Sequence, residues 1–188
     1  FKEAADDLMS QGMKGLVLDL RSNPGGVLDG AVEIADYILP DDLTEYAAGG
    51  QETMIVYTED KNGEGEQYRA SDGHQLDIPI AILINEESAS AAEVLTGALT
   101  DYDRAVSVGT TSYGKGIVQS LIPLGDGSAI KITMAHYYTP SGFDLHGKGI
   151  TPDVEVELDE ALRTQAVVEP QEDNQVQAAV EEVMEQME

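Results

Sequence analysis

The stretch "PIAILINEESASAAEVLTGAL", residues 79–99, decides the fold. It opens on the short apolar run "PIAILIN", which is typical of a strand in a sheet that is covered on both faces. An alanine-rich helix follows, from about Ala89 to Leu99. Two serines, Ser88 and Ser90, stand at the start of this helix. A serine there either caps the helix through its hydroxyl or acts as a nucleophile, and the stretch alone leaves both interpretations open.

Similar pairs of strand and helix surround this stretch. The strand "GLVLDL" (15–20) is followed by a turn and by the helix "VLDGAVEIADYIL" (27–39), and "AVSVG" (105–109) predicts a third buried strand. Strands that alternate with helices indicate an α/β fold. Further on, Gly125-Asp126-Gly127 predicts a hairpin between "GIVQSLIPL" and "SAIKITMAHYYT", which would make the sheet mixed. The remaining predicted elements are a helix over 1–11, a strand over 53–58 inside a polar region from 40 to 77, and a strand over 151–158.

The composition excludes several classes of protein. At 188 residues the chain is long enough for one domain that buries roughly two-thirds of its unfolded surface. Its formal net charge of -26 repels phosphate backbones and anionic membrane surfaces, so nucleic acid is not an expected partner. The chain has no cysteine, which rules out disulfides, thiolate catalysis and zinc–sulfur sites. No apolar run has the length of a membrane span.

The last part of the chain differs from the rest in charge. Residues 153–188 include twelve acidic residues and one basic residue, Arg163. A linker, "EPQEDNQ", precedes a predicted amphipathic helix from about Asn174 to Met187. Its apolar stripe, which would dock on the domain or form a homodimer contact, comprises Val176, Val180, Val183 and Met187. The sequence thus divides into a core over 1–158 and a linker with a terminal helix over 159–188.

A nucleophilic serine needs a base within hydrogen-bonding reach. Three histidines are present, His74, His136 and His146, but the sequence places no acidic residue in an obvious position to orient any of them. The GxSxG motif of the α/β-hydrolases is absent, because the serines lie in "ESASA". A buried lysine can act as the base instead. Lys115 lies between two glycines directly before an apolar strand, and Gln119 would share its face of an extended chain.

The turn "NPGG" (23–26) is the candidate for binding an oxyanion. It opens onto a helix N-terminus, where free N–H groups and the helix dipole favour negative charge. Glycines also make tight strand-to-helix turns for purely geometric reasons. The turn alone therefore does not establish an oxyanion hole.

Four motifs together resemble the carboxyl-terminal processing peptidases, the Ser/Lys endopeptidases of the tail-specific protease family. They are "KGLVLDLRSNPGG", "SASAAEVLTGAL", "GTTSYGKGIVQS", and "YYTPSG" with "GKGITPDV", in the family's order over about residues 1–158. The resemblance implies an α/β protease core with a crotonase-like mixed β-sheet, flanking helices and the added C-terminal helix. The chain departs from many relatives at Ala92, at His136 and in "FDLHGKG".

The resemblance also implies a role for five residues. Ser90 would be the nucleophile, and neutral Lys115, 25 residues downstream, would take its proton. Gln119 would orient the lysine, and the backbone N–H groups of Gly26 and Ala91 would hold the oxyanion. Peptide hydrolysis would then pass through an acyl-enzyme, with no metal or organic cofactor.

Members of this family act outside the cytoplasm, in the periplasm or at the cell surface, and cleave proteins near their C-termini. The expected partners are therefore protein or peptide substrates bound by their C-terminal region. The family places a strand and a PDZ domain before the first helix, and an export signal or membrane tether would lie upstream of Phe1. Residues 1–188 alone are accordingly expected to fold but to be poorly active.

Two other functions remain open. A non-catalytic relative on the same fold could bind peptides or apolar ligands, but it would be expected to lose Ser90 or Lys115, and both are present. An acyl-CoA enzyme of the wider crotonase-like group would need a basic nucleotide site, which so acidic a chain does not suggest.

Overall fold

The computed structural model describes residues 1–41, 54–165 and 167–187. In these ranges the chain forms four helices and two four-stranded sheets. The helices are α1 (Lys2–Ser10), α2 (Leu28–Ile38), α3 (Ala91–Asp101) and α4 (Asn174–Glu185). The strands are β1 (Leu16–Asp19), β2 (Met54–Glu59), β3 (Gln67–Arg69), β4 (Ile80–Ile84), β5 (Val106–Gly109), β6 (Ile117–Pro123), β7 (Ala129–Tyr138) and β8 (Val154–Glu155).

The first sheet is entirely parallel, in the order β1-β4-β5-β8. Its inner strand β4 is buried along its whole length, as the run "PIAILIN" predicts. Ile80, Ile82 and Ile84 pack into the main core with α2 and α3. Ala81 and Leu83 point to the other face and pack in a second cluster with α4. Both faces of the sheet are therefore covered, which explains why every residue of this strand is apolar.

The second sheet is antiparallel, in the order β3-β2-β7-β6. The predicted hairpin forms its edge, with Ile122 opposite Ile130 near the turn. β7 pairs with β2 through Tyr57 and Tyr138, and so the hairpin does not join the parallel strands. The α/β class is confirmed, while the parallel and antiparallel strands occupy two sheets instead of one mixed sheet.

The predicted elements agree with the structure apart from short or polar segments. β3 was not predicted, because three residues with only Tyr68 half-buried carry no periodic signal. The predicted strand over 151–158 is reduced to the two residues of β8. Thr53, the first residue of the predicted strand over 53–58, lies outside the described residues, as do residues 42–52 of the polar region from 40 to 77.

The C-terminal helix α4 docks on the outer face of the parallel sheet. It contacts β1, β4 and β5, and Ala179 and Val183 are buried there. The predicted stripe is wrong at Val180 and Met187, which are 36% and 46% exposed, since the contact face turns toward Gln175 and Ala179. Within the described residues, no helix is long and apolar enough to cross a membrane.

The docking of α4 predicts a difference between two valines on the same helix. Val183→Ala removes two methyl groups from the buried contact and should lower the free energy of unfolding by about 2 kcal/mol. Val180→Ala is the matched control, because it makes the same change in helix propensity at an exposed position, and it should cost less than about 0.5 kcal/mol. Urea unfolding followed by circular dichroism measures both. Equal losses at the two positions would contradict this docking of α4.

Candidate active site

The structure distinguishes the two serines at the start of α3. Ser88 is fully buried, and its hydroxyl donates to the carbonyl of Leu20 at 2.7 Å and accepts the N–H of Asn85 at 2.9 Å. These bonds tie the end of β1 to the end of β4, so Ser88 has a structural role. Ser90 is the N-cap residue of α3 and is partly exposed. Of the two, only Ser90 can meet a substrate.

Ser90 has an unusual backbone conformation, with φ 57° and ψ −118°. Residues other than glycine rarely adopt it, and a sharp strand-to-helix turn of this kind exposes the nucleophile in α/β-hydrolases. The turn requires small neighbours. A Cβ atom placed on Gly25 would lie 2.9 Å from the Cβ of Ser90 and 2.5 Å from the carbonyl oxygen of Ala89. The GxSxG pattern is absent, but Gly25 and the flanking alanines provide the same space.

The buried carboxylate of Glu93 connects the turn that carries Ser90 to the loop that carries Lys115. Glu93 is 1% exposed, and its Oε2 accepts the backbone N–H of Ser90 at 2.8 Å and that of Lys115 at 2.8 Å. Its Oε1 accepts the hydroxyl of Ser112 at 2.5 Å and the N–H of Gly114 at 2.6 Å. Because both backbone nitrogens donate to the same oxygen of Glu93, Ser90 and Lys115 lie next to each other in the fold.

Sequence reasoning assigned no role to Glu93. A signal was present, because an acidic residue three positions after a serine at a helix start is the pattern of a capping box. The local pattern accounts for the bond to Ser90 only. The three bonds to residues 112–115 join segments about twenty residues apart, and no periodicity in the chain reports them.

The loop that carries Lys115 is also held from its other side. The hydroxyl of Ser112 accepts the N–H of Ile150 at 2.7 Å, and the carbonyl of Gly114 accepts the N–H of Gly147 at 2.9 Å. Gly114 has φ +82°, and a Cβ atom there would lie 2.8 Å from the nitrogen of Gly149. The Lys115 side chain itself is half-buried, and no hydrogen bond joins its amine to the Ser90 hydroxyl.

Gln119 lies on the exposed edge strand β6. Its amide donates to the hydroxyl of Thr133 across the hairpin at 3.4 Å and makes no hydrogen bond to Lys115. The predicted shared face assumed an extended chain from Lys115 onward, whereas β6 begins at Ile117 and its pairing shifts register between Val118 and Gln119. The structure places Gln119 on the strand that follows the lysine but does not bring their side chains together.

The two candidate oxyanion donors lie at neighbouring helix starts. Gly26 is exposed and directly precedes Val27, the N-cap residue of α2. Ala91 is the first residue of α3, where backbone N–H groups have no partner inside the helix. The turn of Gly26 is joined to the turn that carries Ser90 by a bond from the N–H of Ala89 to the carbonyl of Asn23 at 2.9 Å.

The three histidines have other partners. His74 stacks on Tyr37 with ring centres 3.8 Å apart. His136 and His146 are neighbours, with ring centres 5.1 Å apart. Sequence reasoning found no acid to orient a histidine, but the structure places Asp144 at 3.4 Å from Nδ1 of His136. None of the three histidines is hydrogen-bonded to Ser90.

Among the described residues, one trio of carboxylates lies close enough to share a cation, and it comprises Asp36, Asp41 and Asp72. These side chains already make hydrogen bonds or ion pairs with neighbouring residues. Asp36 accepts the N–H of Ser71 at 2.6 Å, and Asp72 pairs with Lys2 at 3.4 Å. The trio contains none of the five candidate site residues.

Comparison with known proteins identifies the family. The model of peptidase family S41 matches residues 1–156. The chain is 41% identical over 184 residues to a carboxyl-terminal-processing protease of Synechocystis sp., an alignment that covers 96% of this chain and 40% of the relative. It is 42% identical over 156 residues to a carboxy-terminal-processing protease of Bartonella bacilliformis, covering 83% of this chain and 34% of that one. The chain belongs to peptidase family S41.

Solved structures agree with this membership. The photosystem II D1 C-terminal processing protease superposes with a TM-score of 0.73 at 35% identity, over 82% of this S41 chain and 38% of its own. The tricorn protease shares the fold, with a TM-score of 0.57 at 18% identity over 93% of this chain and 15% of its own. The S41 chain spans less than half the length of each of these four proteins.

The contacts of Glu93 predict a large effect from a small substitution. Glu93→Gln replaces one carboxylate oxygen with an NH₂ group that faces N–H donors, so it should lower the free energy of unfolding by about 3 kcal/mol. Glu87→Gln, the same change at an exposed position of the same turn, should have almost no effect. Urea unfolding compares the two variants. A Glu93→Gln protein as stable as Glu87→Gln would contradict the bridging role of this carboxylate.

Proposed function

We propose that this S41 chain is the catalytic core of a serine endopeptidase that cleaves proteins near their C-termini. The observation that carries the proposal is the Glu93 bridge, which holds the backbone of Ser90 and Lys115 side by side with Ser90 in a nucleophile turn. The relatives named as carboxyl-terminal-processing proteases support the substrate class.

In the proposed mechanism, the neutral amine of Lys115 takes the proton of the Ser90 hydroxyl. The Ser90 oxygen attacks the scissile carbonyl, and the N–H groups of Gly26 and Ala91 stabilise the oxyanion that forms. Lys115 returns the proton to the leaving amine, which leaves an acyl-enzyme on Ser90. Water, deprotonated by the same lysine, then releases the acid product.

The Lys115 side chain must reach the Ser90 hydroxyl for this reaction. Its backbone is already held beside Ser90, and the flexible lysine stem allows the amine to move without a change in the fold. Catalytic hydrogen bonds are often absent from a site without substrate and form in the complex. Gln119 would orient the amine in that state by turning from Thr133 toward Lys115.

We further propose that the enzyme works outside the cytoplasm and binds substrates by their C-terminal region, as the family resemblance implies. A homodimer through α4 would have to use the outer face of the helix, because the inner face already covers the parallel sheet. Val180 and Met184 lie on that outer face, at 36% and 60% exposure.

Substitution of the proposed dyad in the full-length enzyme tests the function. Ser90→Ala and Lys115→Ala should each remove nearly all peptidase activity, and the double variant should be little worse, because the two residues act as a unit. Gln119→Ala should cost about tenfold or more, which is less than the loss of the base itself, because general acid–base catalysis contributes roughly 10²–10⁴-fold. Hydrolysis of casein and labelling by a fluorophosphonate measure these losses.

His136→Ala is the matched control for the identity of the base. It should keep most of the activity, although it removes a titratable group paired with Asp144. The assignment of Lys115 is wrong if Lys115→Ala remains active while His136→Ala loses activity. A wild-type enzyme that neither hydrolyses casein nor reacts with the fluorophosphonate would instead support a binding module on the same fold.

The missing bond between Ser90 and Lys115 predicts a difference between two lengths of chain. Residues 1–188 alone should fold cooperatively but hydrolyse casein more slowly than a longer chain that includes a PDZ domain upstream. Small misplacements of catalytic groups cost roughly a hundredfold in rate, which sets the size of the expected difference. Equal rates per molecule would show that these residues assemble the site unaided.

A further inference from the structure

Arg21 connects the end of the first strand to the start of the C-terminal helix. Its Nε and Nη2 donate to the carboxylate of Asp19 at 3.0 Å and 2.7 Å. Its Nη1 lies 2.8 Å from Oδ2 of Asp173 and 2.9 Å from Oε1 of Gln175. The Arg21 side chain is only 16% exposed, so these bonds are partly shielded from water. The guanidinium fork thus holds β1 and α4 at the same time.

Asp173 binds both the first turn of α4 and the Arg21 side chain. Its Oδ1 accepts the N–H groups of Gln175 and Val176 at 3.0 Å and 3.1 Å, which caps α4. Its Oδ2 is left for Arg21. Gln175 is also buried, and its amide donates to the carbonyl of Val156 at 2.6 Å. The first turn of α4 is therefore fastened at the carboxyl end of the parallel sheet.

The residue after Arg21 begins the turn that ends at Gly26. Ser22 has φ 55°, a conformation that a non-glycine residue keeps only where its neighbours hold it. On one side, the N–H of Ser22 donates to Oδ1 of Asn85 at 2.8 Å, and the carbonyl of Asn23 accepts the N–H of Ala89. On the other side, Arg21 anchors the turn to α4. Two further bonds of residues 22–26 are local, from the N–H of Asn23 to the carbonyl of Leu20 at 3.2 Å and from the N–H of Gly25 to Oδ1 of Asn23 at 2.9 Å, so Arg21 is the link from this part of the chain to α4.

We propose that Arg21 and Asp173 form a clamp through which α4 positions the turn that carries the Gly26 oxyanion donor. The family match ends at residue 156. Asp173 and α4 lie beyond it, and the clamp would give them a role in catalysis. The inference rests on the proposed function, since it assigns a role in turnover. Arg21 and Asp173 act through the turn and do not touch the substrate.

Asp173→Asn in the full-length enzyme tests the clamp. Asparagine is as good an N-cap residue as aspartate, so α4 should keep its start, while the amide no longer pairs with the Arg21 cation. The turn should then move, and kcat for a peptide substrate should fall about tenfold with KM nearly unchanged. The melting temperature should stay within a few degrees of wild type.

A second measurement separates positioning from a general structural effect. A peptide aldehyde forms a hemiacetal with Ser90 whose oxygen occupies the oxyanion site, so its affinity should fall in parallel with kcat. A peptide with a free C-terminal carboxylate binds without a covalent bond and should keep its affinity. Glu157→Gln is the matched control, because it removes the carboxylate of an exposed ion pair with Arg163 and should change none of these values.

Arg21→Lys gives an independent test in case Asp173→Asn does not fold. Lysine keeps the charge but cannot bind Asp19 and Asp173 through a fork, so kcat should again fall with KM nearly unchanged. The clamp is overturned if both variants match Glu157→Gln in kcat, or if kcat falls only in proportion to the folded fraction. A wild-type enzyme without turnover or labelling of Ser90 would overturn the proposed function, and the clamp with it.

Discussion

The candidate site depends on one buried carboxylate. Glu93 receives four hydrogen bonds, two to each oxygen, from the turn that carries Ser90 and from the loop over 112–115. A buried charge is costly unless such donors surround it, and buried donors are costly without an acceptor. The two segments therefore need each other, because separation of either one leaves the remaining polar groups buried and unpaired. This mutual requirement fixes the spacing of Ser90 and Lys115 more firmly than either strand could alone.

A separate bond explains how two strained turns persist side by side. Ser22 and Ser90 both have positive φ, and they lie in the segments that follow β1 and β4. β1 and β4 are adjacent in that sheet, so the two turns meet at its carboxyl edge, where α/β sheets commonly bind ligands. The bond from Ala89 to Asn23 joins them. Strain at one turn is thus resisted by the other.

The parts of this arrangement that follow from local pattern could be predicted from the sequence. The apolar run of β4, the glycine-marked hairpin and the helix stripes predict most elements, and the motifs assign Ser90 and Lys115 by resemblance. Glu93 as a bridge, the division into two sheets and the partners of Gln119 could not be predicted. Each of these depends on which distant segments meet, and a hydrogen bond between remote loops leaves no periodic trace. The exposure of Val180 could not be predicted either, because the orientation of a docked helix decides which side of its apolar stripe is buried.

The two faces of β4 connect the stability of the domain to the geometry of the site. Ile82 packs inward with α2 and α3, whereas the next residue, Leu83, packs outward with α4. A parallel sheet needs cover on both faces, and here α4 provides the outer cover. The carbonyl of Leu83 in turn accepts the N–H of Leu20, at the point where β1 enters its turn. The helix that completes the core therefore packs against the very strand whose end orients both turns of the site.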